Sequence, residues 1–316
     1  MVSRLISIVG LMLLSASALQ SVGAAAAEPA KLPQQVIDYI LDLESDDYQQ
    51  REKATKALPE YGELVIEPLL KVTRGDSLEA SVRAILVIEQ VYVKGKESSV
   101  AKAEDALELL TSSPNPSVAL RAEEAIDRHA DIREKRAIRE IRKKGGTVKL
   151  WTAQEIAKYP QRSDLEPGRV RYVAIGARWT GDELGLRFIK RIRNFDTFYL
   201  IKGHPLNELA LDDLRKAIPA TPFQSRDSDA MLGITGDGMD RGGCTVGDVT
   251  EGLAAQKAGI QSGDFIIKFE DQPIDHFQGL VDLIGKKSAG DTVTLELIRN
   301  GERKKVKVTL SSWLDK

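Results

Sequence analysis

The sequence predicts a multidomain chain. An α-helical repeat region comes first, a short α/β segment of alternating strands and helices follows, and a small C-terminal β-barrel with two helices closes it. Three observations carry this reading. Residues 32–144 show helix-period apolar stripes with almost no strand signal, residues 145–223 repeat their apolar positions every 25 residues, and beyond residue 228 a period-2 alternation is broken by one amphipathic helix.

Residues 1–27 read as a secretory signal peptide. Arg4 supplies the positive start, residues 5–19 a mainly apolar run, and Ala25-Ala26-Ala27 a small-residue cleavage site before Glu28. Ser15, Ser17 and Gln20 interrupt the run, which is short for a bilayer span, and an uncleaved membrane anchor is the alternative. The expected location is secreted or periplasmic, in the cell envelope, with membrane attachment only if this segment is retained. About 290 residues then remain, enough for two or three domains. Cys244 is the single cysteine of the 316 residues, which excludes an intramolecular disulfide and a thiolate zinc cluster. A charged fraction of 29% with net charge -2 gives a balanced surface with no global attraction to nucleic acid.

Residues 28–144 form the expected helical domain. Pro33 opens a helix carrying Val36, Ile37, Ile40 and Leu41; later stripes are Ala54, Ala57 and Leu58, then Leu64, Ile66, Leu69 and Leu70, then Val82, Ile85, Leu86 and Ile88. Short amphipathic helices joined by brief polar turns suit a solenoid of helix pairs, with an irregular bundle as the alternative. The stretch from Ser45-Asp46-Asp47-Tyr48 to Lys56-Ala57-Leu58, with Gly62 and the apolar run to Leu70, resembles a HEAT-like repeat. A second unit starts at Asn115-Pro116-Ser117-Val118, with Ala119, Ala122, Ala125 and Ile126 as its stripe. The basic run Arg133, Lys135, Arg136, Arg139, Arg142, Lys143 and Lys144 fits the wet face of a packed helix, because Ala137, Ile138 and Ile141 interleave it; an acidic partner or anionic lipid is the other reading.

In residues 145–223, Val170 matches Phe195, Val173 Phe198, Ile175 Leu200, Leu184 Leu209, Leu186 Leu211 and Ile189 Leu214, each 25 residues apart. One step further back lie Val148 and Leu150, a capping strand. Each unit gives a strand and then a helix, which resembles two degenerate leucine-rich repeats lacking that family's asparagine ladder. Trp151 and Trp179 are packing residues or partner anchors.

Beyond residue 228, Ile266, Lys268 and Glu270 alternate with Ile267 and Phe269, and Val293, Leu295 and Leu297 alternate with polar neighbours. Asn300-Gly301 is a two-residue hairpin turn returning the chain through Val306, Val308 and Leu310. Phe277, Leu280, Val281 and Ile284 form one helical stripe, and a shorter helix spans residues 254–258, stopped by Gly259. Leu232-Gly233-Ile234, Ala254-Ala255-Gln256-Lys257-Ala258-Gly259-Ile260, Gly263-Asp264-Phe265-Ile266 and Arg299-Asn300-Gly301 occur in this order. The stretch 228–316 thus resembles a bacterial PDZ domain of the type attached to high-temperature-requirement proteases.

That resemblance implies a binder of protein C-termini or extended peptide segments. The terminal carboxylate would be held by main-chain N–H groups of Leu232, Gly233 and Ile234, and the peptide would add as a strand as far as Thr235. Leu232, Ile234, Leu280 and Ile284 are the candidates for the side-chain pocket; Leu280 and Ile284 read equally well as core. The glycine-rich stretch 236–243 departs from the family and would border or fill the groove. It lacks the lysine of a phosphate loop and the acidic spacing of a calcium loop.

No enzyme is expected. The chain has no Gly-Asn-Ser-Gly-Gly segment, and its histidines, His129, His204 and His276, stand in no nucleophile or metal pattern. No catalytic residue, metal ligand or cofactor is therefore assigned. The expected function is a non-enzymatic scaffold binding peptides, with a regulatory or degenerate subunit of an envelope protease, delivering substrates, as the alternative.

Overall fold

The computed structural model describes residues 32–236 and 242–314; the signal-like segment and most of the glycine-rich stretch lie outside them. The chain divides into two compact units, residues 1–123 and 124–316. The first is helical, with α1 (Gln34–Asp42), α2 (Tyr48–Ala57), a 3-10 segment (Leu58–Val65), α3 (Ile66–Val72), α4 (Leu78–Lys94) and α5 (Glu97–Thr111). Asp47 and Ser77 start α2 and α4 by accepting the N–H groups of Gln49 and Ala80 at 2.8 and 3.2 Å. Val36, Leu43, Leu58, Leu69, Ile88 and Leu107 are buried in this unit. Three stripe positions, Leu41, Leu64 and Leu86, are instead exposed. At the end of α1 it is Leu43, one residue beyond the helix, that turns into the core.

After α6 (Pro116–Arg128), α7 (Ala130–Lys143) buries Ala137, Ile138 and Ile141 against a four-stranded sheet of β1 (Thr147–Leu150), β2 (Val170–Ile175), β3 (Thr197–Ile201) and β4 (Phe223–Arg226). Helices α8 (Ala153–Ile156), α9 (Leu186–Lys190) and α10 (Glu208–Ala217) connect the strands. β2, β3 and β4 are parallel and in sequence order, pairing Val173 with Phe198 and Phe198 with Phe223. The register is thus the 25-residue offset itself. β1 is antiparallel to β2, so Val148 opposes Val173 without belonging to a repeated unit. Leu184 and Leu209 occupy equivalent positions and are both exposed, while Leu186 with Leu211, and Ile189 with Leu214, fill the core. Trp151 and Trp179 are buried.

Strand alternation gives this sheet two apolar faces. Val173, Ile175, Phe198 and Leu200 point to the helices, while Tyr172, Ala174, Tyr199 and Ile201 point the other way. The chain's own tail covers this second face. Trp313 stacks on Tyr199 and Tyr172, with ring centroids 4.4 and 5.6 Å away, Leu314 packs with Ala174 and Ile201, and the Arg178 guanidinium donates to the Leu314 carbonyl.

The C-terminal β domain comprises β5 (Ala230–Met231), β6 (Ile234–Gly236), β7 (Cys244–Val249), α11 (Ala254–Lys257), β8 (Phe265–Phe269), β9 (Gln272–Pro273), α12 (Phe277–Ile284), β10 (Thr292–Arg299), β11 (Glu302–Thr309) and β12 (Ser311–Ser312). The strands do not close into the expected barrel. The main sheet runs β11-β10-β8-β7-β6 with β9 beside β8, and β5 pairs separately with β12. β6 has only three residues and a bulge against β7, so it ends the sheet without reaching β11. A second anchor joins this domain to the α/β sheet: the Tyr159 hydroxyl donates to Asp248 at 2.6 Å.

Asp264 clips the β domain together. Buried to 1% exposure, it receives Nε and Nη2 of Arg299 at 2.6 Å each and the Gln261 N–H at 2.9 Å. Burial pushes its pKa up, but the Arg299 and Gln261 hydrogen bonds outweigh this and hold the carboxyl below its ordinary range. A depressed folded pKa contributes stability above the unfolded pKa that is lost as pH falls through the folded one. Asp264→Asn should therefore cost on the order of 3 kcal/mol at pH 7 in urea unfolding followed by circular dichroism. The deficit should shrink as pH falls below the ordinary aspartate pKa of about 3.9; an equal deficit at pH 7 and in acid would contradict the clip.

Candidate functional site

The candidate site is the free edge of β6. Thr250 N–H donates to the Gly233 carbonyl at 2.9 Å, which makes Ile234 and Val249 a non-hydrogen-bonded antiparallel pair. In that register the N–H and C=O of Ile234 point away from β7, to an edge where no strand lies among the described residues. The Leu232 carbonyl accepts the Ala255 N–H at 2.8 Å, while among the described residues the N–H groups of Leu232 and Gly233 find no main-chain acceptor. Three consecutive N–H groups thus stand at the start of the edge strand, a concavity suited to an anion.

Gly233 makes this turn possible. Its φ is +85°, and a Cβ there would come within 2.6 Å of Leu253 Cβ. Glycine is required on both counts, conformation and space. Thr235 is tied to β7: its Oγ1 accepts the Asp248 N–H at 2.7 Å, bridging the bulge, and in this register its own main-chain groups also turn toward β7.

Leu232, Leu280 and Ile284 are buried in one cluster with partly buried Ile234 and Phe277, and all five also line a cavity of 540 Å³ between β6 and α12. Leu280 and Ile284 are thus both core and cavity wall. At the far end of β6, a Cβ on Gly236 would lie 2.2 Å from the Phe277 ring, so ring and main chain are in van der Waals contact. The groove is open beside residues 232–235 and pinched at residue 236.

Sequence reasoning missed part of this cavity. Lys149, Arg171, Tyr172, Tyr199, Arg226 and Trp313, from the α/β sheet and the tail, line it as well, and so does Lys257 of α11. The signal was present in the outward strand positions Tyr172, Ala174, Tyr199 and Ile201, which are too apolar for a solvated face. His276 precedes α12 and is exposed, without a side-chain cap bond; His129 stands at the start of α7. Cys244 is buried in β7. Among the described residues no group of three or more His, Cys, Asp or Glu side chains is placed to hold a metal ion.

Residues 211–310 match the family model of the PDZ domain. A probable periplasmic serine endoprotease DegP-like from Halomonas elongata is 35% identical over 79 residues, 25% of this chain and 17% of the relative. Another, from Pseudomonas putida strain W619, is 39% identical over 79 residues, 25% of this chain and 16% of the relative. The chain therefore spans about a sixth of the length of these relatives. The likeness falls on the PDZ region only, and no protease domain is evident. Among solved structures, an HtrA-type protease AlgW with decapeptide is 17% identical, covers 34% of this chain and 35% of its own, and has a TM-score of 0.25.

The Gly233 geometry gives a direct test. Gly233→Ala places a methyl group against Leu253 at positive φ and should cost about 2 kcal/mol in urea unfolding. A loss below about 0.5 kcal/mol would mean the turn is not constrained as described.

Proposed function

We propose that this chain is a non-enzymatic interaction protein whose PDZ domain captures a protein C-terminus, or an extended segment, by strand addition along β6. The observation that carries this is the register of β6: the Ile234 N–H and C=O face the open edge directly beyond the N–H groups of Leu232 and Gly233. In this reading those three N–H groups hold the terminal carboxylate. The Ile234 N–H and C=O pair with the peptide, Thr235 carries the strand alongside it, and Leu232, Leu280 and Ile284 receive its last side chain.

The helical region, read as HEAT-like, and the α/β segment, read as leucine-rich-repeat-like, serve as scaffold for this receptor. The signal-like residues 1–27 support a secreted or periplasmic location, and the periplasmic relatives support the same compartment. Among the described residues no helix is long and apolar enough to cross a membrane. Because those relatives are proteases, a second reading is a regulatory partner that delivers substrates to an envelope protease. That reading expects a copurifying hydrolase, and a purification from the native envelope without one counts against it.

Capture is tested by fluorescence anisotropy of the chain from residue 28 onward with N-terminally labelled C-terminal peptides. Free-acid peptides should saturate, and amidating the terminus should weaken binding at least about tenfold. Absence of saturation, or indifference to amidation, overturns carboxylate capture. Phe277→Ala should unpinch the groove, so that extending a peptide beyond its last three residues raises affinity in the variant more than in the wild type. An equal gain in both proteins would remove Phe277 as the limit on ligand length.

A further inference from the structure

We propose that the groove and the outer face of the α/β sheet form one composite site, selective for chain ends that carry an acidic side chain next to the last residue. This rests on the capture reading above and assigns its ligand class.

The cavity is the first observation. Its 540 Å³ are lined on one side by β6 and α12 and on the other by Lys149, Tyr172, Tyr199, Arg226 and Trp313. The sheet lies at the end of the groove that would hold the carboxylate. Phe277, at the start of α12, meets Gly236, so the helix end lies toward Gly233. There the Ser228 Oγ donates to the Ile284 carbonyl at 3.5 Å, and a Cβ on Gly285 would lie 3.5 Å from Asp227 Cβ, so the chain leaving β4 abuts the end of α12. An isolated β domain would open into solvent at this point. Here a wall of cations and phenols faces the incoming terminus.

Charge is the second observation. Arg226 lies over the Tyr199 and Trp313 rings at 5.1 and 5.7 Å and donates to Gln224 Oε1 and the Ser225 carbonyl, both neutral acceptors. Its guanidinium is fixed by stacking and keeps donors to spare. Lys149 and Lys257 have no carboxylate partner among the described residues. Arg171, by contrast, is neutralised by Glu155 at 2.8 Å. Against the three uncommitted cations the lining sets two carboxylates, Asp227 and Asp282, leaving one excess positive charge in a partly enclosed space before any ligand enters. Burial pushes the Tyr172 phenol up to about 12, so it remains a protonated donor. A single terminal carboxylate uses the main-chain N–H groups and leaves this wall unanswered; a second carboxylate close to the terminus answers it.

The test uses the chain from residue 28 onward and eight-residue labelled peptides that differ only in glutamate or glutamine at the next-to-last position, each as free acid and as terminal amide. Glutamate should bind about tenfold tighter than glutamine at low salt, with the ratio compressed at 0.5 M salt. Lys149→Gln with Arg226→Gln should bring the ratio to near one without abolishing free-acid binding. If that pair disturbs the tail stacking, as judged by circular dichroism and Trp fluorescence, the exposed Lys257→Gln and the wild-type salt dependence decide instead. Equal binding of glutamate and glutamine, with amidation still abolishing both, overturns this inference alone. Binding indifferent to amidation overturns the capture reading and this inference with it.

Discussion

An unpaired strand edge is the constraint around which the C-terminal domain is arranged. Its N–H and C=O groups must be satisfied by water, by covering elements or by an added strand, and a long bare edge invites aggregation. β6 meets this by being three residues long, started by a left-handed backbone that Gly233 supplies and ended where Phe277 presses on Gly236. α12 lies along the edge without filling it, because Leu280 and Ile284 take their places in the core while still walling a cavity. What remains is a short window of pairing groups. It is small enough to be tolerated when empty, and in the proposed function it accepts one chain end.

The tail makes the window part of a larger site. β12 pairs with β5, immediately before the Leu232-Gly233-Ile234 turn, and the next residue, Trp313, is laid on the aromatic face of the α/β sheet. The strand that braces the receptor and the side chain that fixes it to the neighbouring sheet are thus consecutive. Tyr159 and Asp248 make the second fastening, at the opposite flank of the turn. Two separated anchors hold orientation where one would leave a hinge, and the Lys149 and Arg226 side chains are thereby kept at the mouth of the groove.

Much of this was legible in the sequence wherever a local rule controls the outcome. Asn300-Gly301 forms the hairpin turn with both residues at positive φ, 53° and 83°, which only such a pair adopts readily. The 25-residue recurrence is the register of β2 on β3, since parallel neighbours in equal units align equivalent residues, and the same offset continues into β4, which the recurrence had not included. The recurrence also misled. Leu184 and Leu209 recur as faithfully as the core positions yet face solvent, because recurrence reports equivalence and not burial. The step back to Val148 and Leu150 reached a strand that does pair with β2, Val148 opposite Val173, but recurrence does not give direction: β1 follows α7 through Gly145 and Gly146 and enters the sheet antiparallel. Barrel closure was beyond the alternation pattern, because strand length and a bulge in β6 decide it. The composite cavity depends on residues 149, 226 and 313 meeting, which is a matter of tertiary placement that no spacing encodes.

Strand addition supplies affinity through main-chain groups that every peptide possesses, so it cannot by itself distinguish one chain end from another. Selectivity must come from the few side chains the window exposes. In the proposed capture, the pinch at Gly236 confines pairing to the edge groups of Ile234, which leaves the last side chain in the apolar pocket and its neighbour within reach of the sheet's cations. A longer groove would spread discrimination over many weak contacts. Here it is concentrated at the terminus, where the low local polarity of the Leu232, Leu280 and Ile284 wall strengthens each charge interaction that forms. The same residue, Phe277, that protects the strand edge from unwanted partners therefore also sets how little of a wanted partner is read.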